Sequence, residues 1–74
     1  MEIKLREIVA EAIDVNLEEL TDQSSPDNMP EWDSFAHMTM VAALEGEFKI
    51  SLTLEEIMEM QNIQKIKEVI SRKL

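Results

Sequence analysis

The sequence predicts an all-α fold, a small four-helix bundle of three main helices and one short third helix, with a long connection between the first two. Three observations lead there. Apolar residues recur at helical spacing in three separate segments, a single strand-like segment finds no second one to pair with, and a polar stretch holding both prolines divides the first helix from the second. At 74 residues the chain is expected to form one domain over residues 1–74. Domains of this size bury only about 60% of the surface that the unfolded chain exposes, so the core is modest.

The first helix rests on Leu5, Ile8, Val9, Ala12 and Ile13, which fall at i, i+3, i+4, i+7 and i+8. Lys4, Arg6, Glu7 and Glu11 occupy its outer face. From Asp14 to Asp33 no such period is sustained, and a structureless loop of that length is unusual in a compact domain. Asn16 followed by Glu19 approximates a capping box for a short turn, which Leu17 and Leu20 are placed to pin to the core. TDQSSPDNMP then supplies turn formers and two prolines that continue no helix.

The second helix runs from Ser34 to about Phe48 with Asp33 as its N-cap. Phe35, Met38, Met40, Val41, Ala42, Ala43, Leu44 and Phe48 spread round most of its circumference, the pattern of a central helix packed from more than one side. Gly46 costs that helix about 1 kcal/mol relative to Ala, and marks either fraying or a close approach. Ile50, Leu52 and Leu54 alternate with Ser51 and Thr53, and read as an extended connection that plugs the core. Thr53 then caps a short helix over Glu55 to Met60, and Asn62 caps the last one, whose buried stripe is Ile63, Ile66, Val69, Ile70 and Leu74. Arg72 and Lys73 complement the negative end of its dipole.

Composition removes whole classes of chemistry. Without Cys there is no disulfide, no thiolate nucleophile and no sulfur-based zinc site, and one His rules out a histidine-rich metal site. Sixteen acids against seven bases give a net charge of -9, which repels nucleic acid and suits either docking on basic protein surfaces or simple solubility. Charges from Glu2 onward, and a longest apolar run of only Met40 to Leu44, exclude a signal peptide and a membrane-spanning helix. A cytoplasmic location is the default expectation.

The stretch EWDSFAHM, Glu31 to Met38, holds the chemistry that remains. The first turn of a helix presents unpaired backbone N–H groups and the positive end of the dipole, so a phosphodiester on the Ser34 hydroxyl would sit in a favourable field. Read by themselves, the residues favour Asp33 as a cap with Ser34 as filler, since Asp-Ser is common at helix starts. His37, three residues after Ser34, suggests a Ser–His dyad, but no residue pattern supplies an orienting acid or an oxyanion hole. An exposed His on a docking surface is the preferred reading.

The whole arrangement resembles the acyl carrier protein family: an acidic four-helix chain, a long first loop, Asp-Ser opening the second helix, and MVAALEGEF following it. Asp33, Ser34, Met38, Val41, Leu44, Glu45, Glu47 and Phe48, then Ile50 and Leu52, carry the likeness, which spans essentially the full chain. The resemblance implies that Ser34 carries 4′-phosphopantetheine, attached by a phosphopantetheinyl transferase, with Asp33 helping to present the site. The arm brings the thiol that the sequence lacks, acyl groups ride on it as thioesters, and the protein is a carrier rather than an enzyme, acting as a monomer. Its partners are then enzymes of fatty acid, polyketide or related secondary biosynthesis that load and transfer acyl groups and offer basic patches. Glu31, Glu45, Glu47, Glu55 and Glu56 are the expected partner contacts, no metal is expected, and nucleic acid and membrane insertion are not.

Some residues depart from the family pattern. Ala36, His37, Thr39 and Gly46 make the second helix less acidic than in typical carriers of fatty acid synthesis. Phe35 replaces the usual Leu and is expected in the core, beside the mouth of any acyl pocket. Trp32 stands near a place where a small residue is frequent. WDS with His37 looks like stand-alone carriers of polyketide, nonribosomal-peptide, D-alanyl or sugar-modification systems. Met38, Met40, Met58 and Met60 suit either ordinary core filling or a cavity that expands around an acyl chain. The alternative from another class is an acidic helical adaptor that bears no prosthetic group.

Overall fold

A computed structural model describes residues 2–74. Four helices follow one another, α1 (Glu2–Ile13), α2 (Ser34–Phe48), α3 (Leu54–Glu59) and α4 (Ile63–Lys73), with a 3₁₀ turn at Leu17–Glu19 and no strand among the described residues. The expected caps Asp33, Thr53 and Asn62 are present, and α3 is displaced by one residue from the expected Glu55 to Met60. Asp33 accepts the Ala36 N–H at 2.8 Å and Asn62 the Lys65 N–H at 2.7 Å. Thr53 and Glu56 satisfy each other's backbone N–H groups reciprocally, at 3.1 and 2.9 Å.

The principal helix pair is α1 with α2, and α4 closes the core from the other side. Leu5, Val9 and Ile13 of α1 share one buried core with Met40, Val41 and Leu44 of α2, and the predicted stripe of α4 is fully buried through Ile70. Leu74 is not: it lies beyond the last turn and is exposed. Both α1 and α2 end on a non-glycine residue in the left-handed region, Asp14 (φ 60°) and Lys49 (φ 55°). That conformation turns the chain so that Val15 and Ile50 donate back to Ala10 and Glu45, five residues earlier, as helix C-caps require.

The long first connection is ordered because other elements use its polar groups. Asp22 receives Arg6 of α1 at 2.6 Å and Lys67 of α4 at 2.8 Å. The carbonyls of Ser24 and Asp22 accept the N–H groups of Ile63 and Gln64, two of the donors that the start of α4 leaves unsatisfied. Leu20 is buried as expected, whereas Leu17 is 43% exposed. The turn is held instead by polar bonds, the Glu19 carboxylate accepting the Asn16 N–H at 2.9 Å.

Two expectations about α2 and its neighbours need correction. The helix is not wrapped on all sides: Ala36, Met40, Val41 and Leu44 are buried, but Phe35, Met38, Ala42 and Ala43 face solvent. Phe35, expected in the core, is 82% exposed. Two causes act. Phe35 and Ala42 lie on the face of α2 opposite the buried Ala36, Met40 and Leu44, and the six-residue α3, packed chiefly on α4, leaves the flank that holds Met38 uncovered. Leu54, which opens α3, is likewise exposed, while Ile50 and Leu52 are half-buried against the core as the extended connection required. A Cβ added at Gly46 would meet nothing within 4 Å, so no close approach explains that glycine.

Candidate functional site

Ser34 is the first residue of α2 and is exposed. Its position follows from local chemistry. Asp33 adopts an extended backbone (φ -94°, ψ -176°) and folds its carboxylate over the Ala36 N–H, so the helix starts one residue later with the serine hydroxyl outside it. The helix behind it is 15 residues long, and its dipole favours an anion at this end.

Beside Ser34 the uncovered flank of α2 and the short α3 enclose an open groove of about 560 Å³. Asp33, Ser34, His37 and Met38 form one side, Leu54, Ile57 and Met58 the other, and Trp32 and Met60 the floor. Three of the four methionines expected to line a cavity do so; the fourth, Met40, is buried in the core between α1 and α2. Asp33 is the one charged residue of this lining, and the rest offers mostly apolar surface.

Behind the serine, Trp32 is 1% exposed, and its indole N–H donates to Nδ1 of His37 at 3.0 Å. The rings lie at 22° to each other with centroids 6.2 Å apart. An indole N–H can only donate, so Nδ1 accepts and the ring proton resides on Nε2. That nitrogen faces the Ile57 carbonyl of α3 at 3.0 Å. Both ring nitrogens are therefore committed away from Ser34, which removes the Ser–His dyad. It also corrects the picture of an exposed, docking His: the residue is half-buried and joins two helices. Sequence reasoning passed over this Trp32–His37–Ile57 connection. The spacing of Trp and His was visible, but the third member is a backbone carbonyl twenty residues away and has no side-chain signature.

The acids expected at a docking surface divide into two sets. Glu31 and Glu55 are exposed. Glu47 is exposed on the α1 side, 3.8 Å from Lys4. Glu45 and Glu56 serve the fold. Glu45 accepts the Leu52 N–H at 2.8 Å, holding the extended connection to α2. Glu56 completes the cap of α3 and pairs with Lys73 at 2.9 Å. The Thr53 N–H, and then the Lys73 ammonium, hold the Glu56 carboxyl below its ordinary range.

The residues present fit a covalent, phosphate-linked arm. An exposed hydroxyl stands at a helix start, an apolar groove runs from it, and the nearby His37 is hydrogen-bonded elsewhere through both ring nitrogens. Comparison with known proteins points the same way. The family model described as the phosphopantetheine attachment site matches residues 4–70. Among solved structures, the holo acyl carrier protein from Geobacter metallireducens superimposes with a TM-score of 0.84 at 26% sequence identity, covering 97% of this chain and 83% of that one. No curated protein matches.

Proposed function

The chain belongs to the phosphopantetheine-attachment family of acyl carrier proteins, and from that premise we propose that Ser34 is the residue that carries its 4′-phosphopantetheine. A protein of this family is a carrier and not an enzyme. The bound arm supplies a thiol, which a chain without cysteine cannot provide itself. The single observation that carries the assignment is the position of Ser34: exposed, first in α2, released from the helix by the Asp33 cap, and at the edge of an apolar groove.

The chain's own residues then have separable tasks. Ser34 offers a hydroxyl as a substrate, and its activation falls to the transferase. Asp33 holds the helix start that presents it. Met38, Met58 and Leu54 offer adaptable apolar surface to what the arm carries, since unbranched thioether chains repack at little cost. Glu31, Glu47 and Glu55 are the acids still available to a basic partner. Glu45 and Glu56 contribute to docking only as far as their internal bonds allow. We place the cargo among acyl groups of polyketide or related secondary biosynthesis, because the exposed face of α2 presents Thr39 and Gly46 where a more acidic face would suit other partners.

The test is the intact mass of the protein after incubation with coenzyme A, Mg²⁺ and a broad-specificity phosphopantetheinyl transferase. One phosphopantetheinyl group is gained by the wild type and none by Ser34→Ala. A gain that persists in Ser34→Ala places the arm on another hydroxyl.

A further inference from the structure

We propose that His37 is a positioning residue: it pins α3 against the first turns of α2, and so fixes the wall of the groove that faces Ser34. The functional half of this proposal rests on the reading that the arm is attached at Ser34; the structural half does not.

The need for such a pin follows from α3 itself. Six residues are too few for a helix to persist by its own hydrogen bonds. Its start is closed by the Thr53–Glu56 box, and Glu56 and Glu59 pair with Lys73 and Arg72 of α4. Those ties all run to α4 or stay within α3. The last carbonyls of a helix lack intrahelical partners. Here the Met58 carbonyl takes the Gln61 side chain, and the Ile57 carbonyl, which accepts the Met60 N–H only at 3.4 Å, also takes the Nε2–H of His37 at 3.0 Å, a bond that comes from α2. His37 lies one turn beyond Ser34 and lines the same groove. Its other nitrogen is anchored on the buried Trp32, which stops the imidazole from rotating out. One side chain thus links the groove floor, the serine-bearing helix and the opposite wall.

Two substitutions separate the bonds. The Gln amide nitrogen is as many bonds from Cβ as His Nε2, so His37→Gln keeps a donor for Ile57 and gives up the acceptor for Trp32. The Asn oxygen stands in for Nδ1, so His37→Asn keeps the Trp32 acceptor and no longer reaches Ile57. In the unmodified protein, His37→Asn and His37→Ala are expected to speed amide exchange in residues 54–59 by roughly fivefold, the factor that loss of one ordinary hydrogen bond gives, with α1 and α4 unchanged. His37→Gln keeps α3 exchange near wild type but speeds exchange of the Trp32 indole N–H, which His37→Asn leaves protected. Transferase kinetics supply the second readout: KM rises about fivefold in His37→Asn with kcat retained, and His37→Gln restores it.

The proposal is overturned if α3 exchange is indifferent to all three variants, if α1, α3 and α4 accelerate together, or if KM follows the Trp32 bond rather than the Ile57 bond. Failure of the wild type to accept the arm would instead remove the Ser34 reading, and the exchange measurements would still decide the role of His37.

Discussion

At the scale of single residues, exposure and backbone conformation decide what each substitution costs. Asp33→Ala removes the N-cap bond of α2 and is expected to lower stability by about 1 kcal/mol in urea denaturation. Gly46 sits within α2 with open space around it, so Gly46→Ala should raise stability by about 0.5–1 kcal/mol; a loss would mean that its backbone is under a constraint the surrounding space does not reveal. Phe35 is large and aromatic, yet almost wholly exposed. Replacing it with Ser is therefore expected to leave the denaturation midpoint within about 0.5 kcal/mol of wild type. Trp32 is the opposite case, buried and hydrogen-bonded, and its truncation to Ala should cost about 3–5 kcal/mol.

Between elements, polar bonds do what the short helix and the long connection cannot do by burial alone. Asp22 joins the connection to α1 and α4, and the hydrogen bond from Lys67, aided by the charge of Arg6, holds its carboxyl below the ordinary value of 3.8. Glu56 is held below 4.5 by the Thr53 N–H and by Lys73. A carboxyl depressed on folding contributes stability that is fully present above its unfolded value and is lost as pH falls through its folded one. Lowering the pH from about 5 toward 3 should therefore erode these two contributions. Protonation of the many other acids relieves repulsion over the same range, so the quantity to read is a difference. The denaturation midpoint of Asp22→Asn/Glu56→Gln should fall below wild type at neutral pH and converge with it in acid. A constant gap across the range would show that neither carboxylate acts through its charge.

Across the whole molecule, the charge balance is settled by where the bases are used. Among the described residues, six of the seven bases lie within 4 Å of an acid; Lys65 pairs within α4, and the other five tie α1 to α2, α3 to α4, and the connection to α1 and α4. Surface pairs of this kind are individually weak and the acids in excess repel one another. Raising NaCl, or adding Mg²⁺, is expected to increase the melting temperature, as measured by circular dichroism at neutral pH. A melting temperature that falls with salt would mean that the ion pairs outweigh the repulsion.

What the sequence determined by itself was whatever short-range chemistry enforces. The apolar spacing of α1 and α4, the caps Asp33, Thr53 and Asn62, and the absence of any thiol are properties of neighbours along the chain, and each survives folding unchanged. The Ser34 position was legible for the same reason, since a helix start is a local event. Tertiary structure alone decided which flank of α2 stays open, because an apolar surface is silent about whether a partner element is long enough to cover it. Tertiary packing made the flank of α2 that faces a six-residue α3 into a groove and left Phe35, on the face opposite the core, in solvent. It likewise committed Glu45, Glu56 and His37 to the fold, through bonds to the Leu52 and Thr53 N–H groups and the Ile57 carbonyl. Every residue has those backbone groups, so sequence cannot mark which of them a side chain will find.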